Sequence, residues 1–430
     1  MAVYDMLDAL STARDRHATP DHTPTITADS TTTPQTNPTD TSERYAHPIT
    51  AAQESGLPII DISPFLDPHS TASARQTTAK AIDAACINYG FFYLTGHGIP
   101  LSTLDAIISL AREFFALPLA EKNKIKRHDA GGPEGGDSAR GYQGLGENVT
   151  GGLNDVQEAI DFYRPWDGPL EDGDGGPGTR KTLQGPNLWP ERPQALRGVY
   201  EEYIAQVTEV GRALVRAMGV ALDLGPADAN AAAEDEDEDV FARHCDESFW
   251  VLRMINYPPL PASALHKQRQ KQQQKDGEEG EEEGEVIGAD EDPSQFSCGA
   301  HTDYGCATLL LADPTPGALQ VQLKNGAWLP AHPVRGAFVV NIGDMIERWT
   351  NGVWKSTLHR VIHRANHSPE YAGRVSVPFF FEPNFDAQVR PLKKCVRRSG
   401  REEMGGRGTY GEHLLTKVFS NFYYSKRTDW

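Results

Sequence analysis

The chain has no uninterrupted apolar run near the roughly 18 residues that a bilayer span needs, so no transmembrane helix is expected. Cysteine is scarce. The five, Cys86, Cys245, Cys298, Cys306 and Cys395, show no CxxC spacing. An odd count without a secretory apolar segment favours free thiols in a reducing compartment. A cytoplasmic protein is the expectation, with the nucleus left open. Positive charge is also short. The formal net charge is −19, which argues against a nucleic-acid groove, because such grooves need a basic footprint. Phosphate-binding glycine patterns are missing too. Gly144 and Gly146 fail the dinucleotide fingerprint because position 149 is Val, and Lys355-Ser356 lacks the P-loop glycines before it. The acidic runs carry no EF-hand spacing and read as solvated loops.

Acid is abundant but local. Glu234 to Asp239 is six consecutive acids, and residues 276–292 add ten more. The globular remainder is therefore close to neutral. Residues 1–55 are rich in Thr, Ser, Asp and Pro and are expected to be a disordered tail, with a short helix possible at Met1–Ala13. Residues 56–225 alternate short strands with amphipathic helices. Apolar spacing predicts helices over 73–89, stopped by Gly90, over Leu101 to Phe115, and over 192–222. The Gly-rich stretch 129–153 reads as a loop. From Phe249 the pattern changes to short strands at 249–257, 297–300, 306–312, 318–323, 337–342, 358–364 and 374–382. Turn residues such as Ala312-Asp-Pro314 and Asn325-Gly326 separate them, which suggests a sandwich or barrel at 246–385. A low-complexity insertion at 261–294 interrupts that domain. Residues 386–430 form a C-terminal segment closed by a helix at 411–423.

The chemistry sits in the strand-rich half. In His301-Thr-Asp303, residues i and i+2 on an extended chain project to one face, so an imidazole and a carboxylate converge. His359 supplies a third donor. Two histidines and one carboxylate leave coordination positions open for O2 and a chelating co-substrate, the arrangement of non-haem Fe(II) oxygenases. In Arg374-Val-Ser376 the same spacing aligns a guanidinium with a hydroxyl. An Arg can take a carboxylate through two parallel hydrogen bonds, which suits the distal carboxylate of 2-oxoglutarate. A zinc hydrolase could also use two histidines and a carboxylate, but it would not need the Arg/Ser clamp.

These motifs resemble the 2-oxoglutarate/Fe(II)-dependent dioxygenases of the isopenicillin-N-synthase-like superfamily, from about Leu57 to Phe422. The N-terminal half carries the resemblance through Asn88-Tyr-Gly-Phe-Phe-Tyr-Leu-Thr-Gly-His-Gly98, Gly141-Tyr142, Glu158-Ala-Ile-Asp161 and Gly185-Pro-Asn-Leu-Trp-Pro190. The C-terminal half carries it through Leu252-Arg-Met-Ile-Asn-Tyr-Pro258, Ala300-His-Thr-Asp-Tyr-Gly305, Asn341-Ile-Gly-Asp344 and Ser356-Thr-Leu-His-Arg-Val361. The resemblance implies an α+β fold, a double-stranded β-helix (jelly roll) with an N-terminal helical cap. It implies Fe(II), 2-oxoglutarate and O2 as cofactor and co-substrates, with ascorbate as a stimulant. The implied reaction is hydroxylation, desaturation or ring closure of a small molecule, coupled to conversion of 2-oxoglutarate to succinate and CO2. Tyr257 is implied at the co-substrate carboxylate. His359 stands in the family's Leu-His-Arg-Val context, whereas His363 would give the more usual distance to Arg374.

Three further residues have two readings each. His97 lies in the cap without a nearby partner and is expected to be structural. Asn341 could support the metal site or simply end a strand. Tyr257 could be a packing aromatic. Tyr142, Phe249, Phe379, Phe381 and Phe385 are candidate pocket aromatics, suited to a nucleobase, a terpenoid or another secondary metabolite. A monomer without membrane or nucleic-acid partners is expected. The rival readings are a relative that oxidises its substrate without 2-oxoglutarate and a non-catalytic jelly-roll binding protein.

Overall fold

Short runs of apolar and β-branched residues bounded by turns produce most of the strands. The computed structural model describes residues 56–132, 134–150, 153–166, 181–226, 236–259, 296–362, 373–405 and 408–422. The expected tail at 1–55 with its short helix, the insertion at 261–294 and His363 lie outside them. The N-terminal half contributes β1 (Ile59–Asp61), β2 (Phe91–Thr95), β3 (Gly141–Gln143), β4 (Val149–Thr150), β5 (Leu153–Asn154) and β6 (Glu158–Tyr163). The C-terminal half contributes β7 (Val251–Tyr257), β8 (Phe296–His301), β9 (Ala307–Ala312) and β10 (Leu319–Gln322). It continues with β11 (Trp328–Pro330), β12 (Phe338–Ile342), β13 (His359–Ile362) and β14 (Arg374–Phe381). The main helices are α1 (Ala72–Asn88), α2 (Leu101–Phe115), α3 (Leu196–Ala221), α4 (Asp344–Trp349) and α5 (Tyr410–Phe422).

An eight-stranded sheet runs β1-β2-β12-β9-β14-β7-β6-β3, and a four-stranded sheet runs β11-β10-β13-β8. Together they form the double-stranded β-helix. All seven strand segments read from the sequence after Phe249 carry a strand. Strand β11 and helix α4 were not anticipated, being too short to show a period. The stretch at 129–153 is likewise more than a loop, since it holds β3, β4 and the start of β5.

The N-terminal half does more than cap the domain. Its β1, β2, β3 and β6 extend the larger sheet, with Asp161 opposite Arg253 and Val340 opposite Phe92. Helices α2 and α3 pack on that sheet's outer face, against β14, β7 and β9, and not over the open mouth. The fit is close. A Cβ added at Gly211 of α3 would lie 2.4 Å from the Phe381 ring, so only glycine admits that ring. The Tyr200 hydroxyl of α3 donates to the Ile107 carbonyl of α2 at 2.9 Å. A second core, including Phe91, Tyr93, Leu319, Val321 and Val361, fills one end of the space between the sheets. The other end holds a cavity. Among the described residues no helix is long and apolar enough to cross a membrane.

Strand β14 divides these environments by its two-residue period. Val375, Val377, Phe379 and Phe381 face the helices and are buried in the main core. Arg374, Ser376, Pro378, Phe380 and Glu382 line the cavity. Phe379→Ala should therefore destabilise the protein by about 3–5 kcal/mol, the usual cost of deleting a buried Phe. Phe380→Ala should cost clearly less and instead weaken substrate use. Denaturant unfolding of both variants beside their steady-state kinetics checks this; equal stability losses would contradict the assigned faces.

Candidate active site

Sheet register brings the three donors together. His301 ends β8 and His359 begins β13, and the two are direct cross-strand partners. Asp303 follows in the turn between β8 and β9. The donor atoms of all three lie within 4.8 Å of one another. His301 Nε2 and His359 Nε2 stand 3.8 and 3.7 Å from Asp303 Oδ1. The other ring nitrogens face backbone carbonyls, His301 Nδ1 at 2.8 Å from Gly299 O and His359 Nδ1 at 3.1 Å from Thr357 O. An Nδ1–H donating to each carbonyl leaves both Nε2 lone pairs pointing at the gap beside Asp303.

The carboxylate is as firmly set. Asn341 Nδ2 donates to Asp303 Oδ2 at 2.6 Å, and the Thr308 hydroxyl donates to the same oxygen. Asn341 and Thr308 are themselves partners across β12 and β9. That leaves Oδ1 for a metal and gives Asn341 a supporting place in the site. Helix α4 pins the turn from below. Gly343, Asp344 and Met345 donate backbone N–H groups to Cys306 O, Asp303 O and Gly305 O at 2.9, 2.8 and 3.0 Å. Burial would raise the Asp303 carboxyl, but the two imidazoles and the Asn341 and Thr308 bonds outweigh it and hold it below the usual range. Burial, reinforced by His301, pushes His359 down to about 4, so its ring is neutral and available as a ligand.

The clamp forms on the neighbouring strands. Arg374 is paired with Tyr257 across β14 and β7, and its guanidinium lies 5.0 Å from the Tyr257 ring centroid. Ser376 lies two residues along the same face, and both it and Tyr257 line the cavity beside the guanidinium. Arg374 is buried, and its Nη1 has no hydrogen-bond partner among the described residues. A buried donor left in that state is costly unless a ligand meets it, and a carboxylate is the natural acceptor. The residues thus fit both groups: two nitrogens and one oxygen for a divalent metal, and an unmet guanidinium for an acid.

The cavity has a volume of about 500 Å³. The five aromatics expected to line it do not. Tyr142, Phe249, Phe379 and Phe381 are buried in the helix-side core, and Phe385 packs against that core. Tyr142 spends its hydroxyl on Glu158 at 2.6 Å, beside Lys122. The cavity wall is more polar than expected. On the sheet it carries Asp161, Tyr163 and Arg253, and α5 adds Tyr410, Leu414 and Lys417. Asp161 and Arg253 form an ion pair at 3.1 Å. Glu382, Tyr410 and Lys417 were missed from sequence. Only the alternation continuing from Arg374 and Ser376 could have found Glu382. His97 is structural, with Nε2 3.0 Å from Gly336 O and Nδ1 accepting from Ile99 N at 3.2 Å.

Comparison with known proteins matches these features to one family. Residues 57–192 match the model of the non-haem dioxygenase in morphine synthesis N-terminal region, and residues 254–383 match the 2OG-Fe(II) oxygenase superfamily. A homoarginine-6-hydroxylase of Arabidopsis thaliana is 39% identical over 381 residues, covering 86% of this chain and 99% of that protein. A 2-oxoglutarate-dependent dioxygenase of Talaromyces stipitatus is 29% identical over 84% of this chain and 94% of its own. A full-length Neurospora crassa protein solved in complex with alpha-KG has a TM-score of 0.64 at 24% identity, covering 86% and 98% of the two chains. A putative 2OG-Fe(II) oxygenase family protein from Caulobacter crescentus has a TM-score of 0.61 at 27% identity, covering 85% and 99%. The chain is a member of the 2-oxoglutarate/Fe(II)-dependent dioxygenases, an enzyme that uses Fe(II) and 2-oxoglutarate to oxidise a small molecule.

Proposed function

We propose that this dioxygenase hydroxylates a guanidino amino acid of the homoarginine type. The observation that carries the substrate class is the 39% identity to homoarginine-6-hydroxylases of Arabidopsis thaliana and Glycine max, over 99% of each relative's length. The carboxyl groups of Asp161 and Glu382 on the cavity wall support the same reading.

In this reading His301, Asp303 and His359 hold Fe(II), and Arg374, Ser376 and Tyr257 hold the distal carboxylate of 2-oxoglutarate. Bound Fe(II) supplies activation of O2. The chain's own residues supply geometry. The carbonyls of Gly299 and Thr357 fix the imidazole tautomers, and Asn341 with Thr308 orients Asp303. Arg374 sets the direction of the co-substrate. Phe380, Leu414 and Val418 keep water from the reacting face. We further infer a cytoplasmic monomer that binds neither membrane nor nucleic acid. The five cysteines are free, and a net charge far from zero opposes self-association; light scattering on the eluting protein measures the mass.

Succinate release by purified protein with Fe(II) and 2-oxoglutarate tests the substrate class. Homoarginine should stimulate it well above the substrate-free rate. Mass spectrometry should find the singly oxygenated product together with free guanidine and the semialdehyde, because a hydroxyl on the carbon bearing the guanidino nitrogen is a hemiaminal that collapses. No stimulation by homoarginine, with stimulation by an uncharged compound, would overturn the guanidino reading.

A further inference from the structure

Three acids line the cavity, and two are accounted for. Asp303 faces the imidazoles, and Asp161 is paired with Arg253. Glu382 is the third. It is 4% exposed and enters no ion pair among the described residues. It continues the inner face of β14 that begins at Arg374, at the end where the Asp303 turn crosses the strand. One carboxyl oxygen accepts from Cys306 N at 3.2 Å, and the side chain of Tyr410 of α5 lies close to the same group. The turn has been cut away for it, since a Cβ added at Gly305 would fall 1.0 Å from Glu382 Oε2. Glycine at 305 is therefore required by the carboxyl's position. A backbone N–H and a missing side chain together hold a carboxyl at the metal end of the cavity, and among the described residues no cation is paired with it.

Resting on the substrate reading above, we propose that Glu382 is a specificity-determining residue that binds the cationic end of the substrate, a guanidinium or an ammonium. A buried carboxylate without a cation is expensive. In the free protein that cost shows as burial, with Asp303 beyond it, pushing the group up to about 8. A guanidinium entering the cavity supplies the missing charge and parallel N–H donors that match a carboxylate fork. Such a contact beside the Asp303 turn places the carbon next to the guanidinium nearest the metal. That is the position oxidised when a homoarginine is hydroxylated at its 6-carbon. Glu382 is thus the counterpart of Arg374: one end of the strand face orients the co-substrate, and the other orients the substrate.

The test compares homoarginine with its uncharged ureido analogue, homocitrulline. Binding is measured calorimetrically to protein holding Mn(II) and 2-oxoglutarate under nitrogen, and turnover is measured on the Fe(II) enzyme. The wild type should prefer homoarginine by at least about 30-fold, the lower bound for a desolvated charge pair of roughly 2 kcal/mol. Glu382→Gln keeps the size and the acceptor for Cys306 N. It should collapse that preference to within about threefold while leaving the KM for 2-oxoglutarate and metal binding unchanged. Glu382→Asp should retain part of the preference. An unchanged preference in Glu382→Gln overturns the assignment of this residue but leaves the substrate class standing. A wild type that takes homocitrulline as well as homoarginine overturns the proposal without help from any variant. A wild type that binds neither compound overturns the substrate reading itself.

Discussion

Asp303→Ala should lose Fe(II) binding and reduce succinate release to background while the protein remains folded. The substitution removes the sole anionic donor of the cluster and leaves only the two imidazoles. It also strands the Asn341 amide and the Thr308 hydroxyl, each bonded to Oδ2. The loss in metal affinity should exceed the roughly 10–100-fold that follows removal of an outer-shell partner. The two orphaned donors should cost about 1–3 kcal/mol each in the metal-free protein, so a measurable fall in melting temperature accompanies the loss. His301→Ala and His359→Ala should likewise abolish activity, because each removes one Nε2 from the same gap. His363→Ala should not. Fe(II) binding by calorimetry under nitrogen, beside succinate release, separates these variants. Full activity in His359→Ala with loss in His363→Ala would move the third ligand to His363.

The site was legible in the sequence to the extent that it obeys the two-residue strand period. Arg374 and Ser376 share a face of β14 for that reason, whereas Asp303 lies in the turn just past His301 and is held there by Asn341 and Thr308. The period does not say which strand lies opposite which. Sheet pairing brings His359 across from His301 and Tyr257 across from Arg374, and those partners lie far apart in the chain. The same rule, carried along β14, would have excluded Phe379 and Phe381 from the cavity. They differ from Arg374 by odd numbers of residues, so they face α2 and α3. Large aromatic size suggested a pocket, but burial against helices is the commoner fate of such a ring. The fold class was readable from the seven short strand segments. Strands β1 and β2 were readable as apolar runs at 58–62 and 91–94, whereas β3 and β6 were harder, because β3 pairs with β6 and β6 joins the far half's sheet only through β7. The polar wall of the cavity was invisible. Asp161 and Arg253 belong to different halves and meet only through the β6–β7 pairing.

Arg374→Ala should raise the KM for 2-oxoglutarate by roughly 30-fold to several thousandfold, the range for truncating one partner of a buried, hydrogen-bonded charge pair at about 2–5 kcal/mol. The guanidinium is buried over the Tyr257 ring with Nη1 unmet among the described residues, so that donor is available to an incoming acid. Arg374→Lys keeps the charge but loses the planar fork and should fall between the wild type and Arg374→Ala. Metal binding should be unaffected in both, since neither variant touches the cluster around Asp303. Co-substrate choice gives the sharper readout. The wild type should strongly prefer 2-oxoglutarate to 2-oxo acids of similar length that lack the distal carboxylate, such as 2-oxovalerate. Arg374→Ala should nearly lose that preference, because the contact that told the two apart is gone. A variant that keeps the preference, and shows instead a raised KM for the organic substrate, would mean that Arg374 grips the substrate. Such a result would also bear on β14 as a whole, because Arg374 and Glu382 share one inner face. The strand divides co-substrate from substrate only if its two ends answer to different molecules, so the Arg374 and Glu382 variants should shift different Michaelis constants.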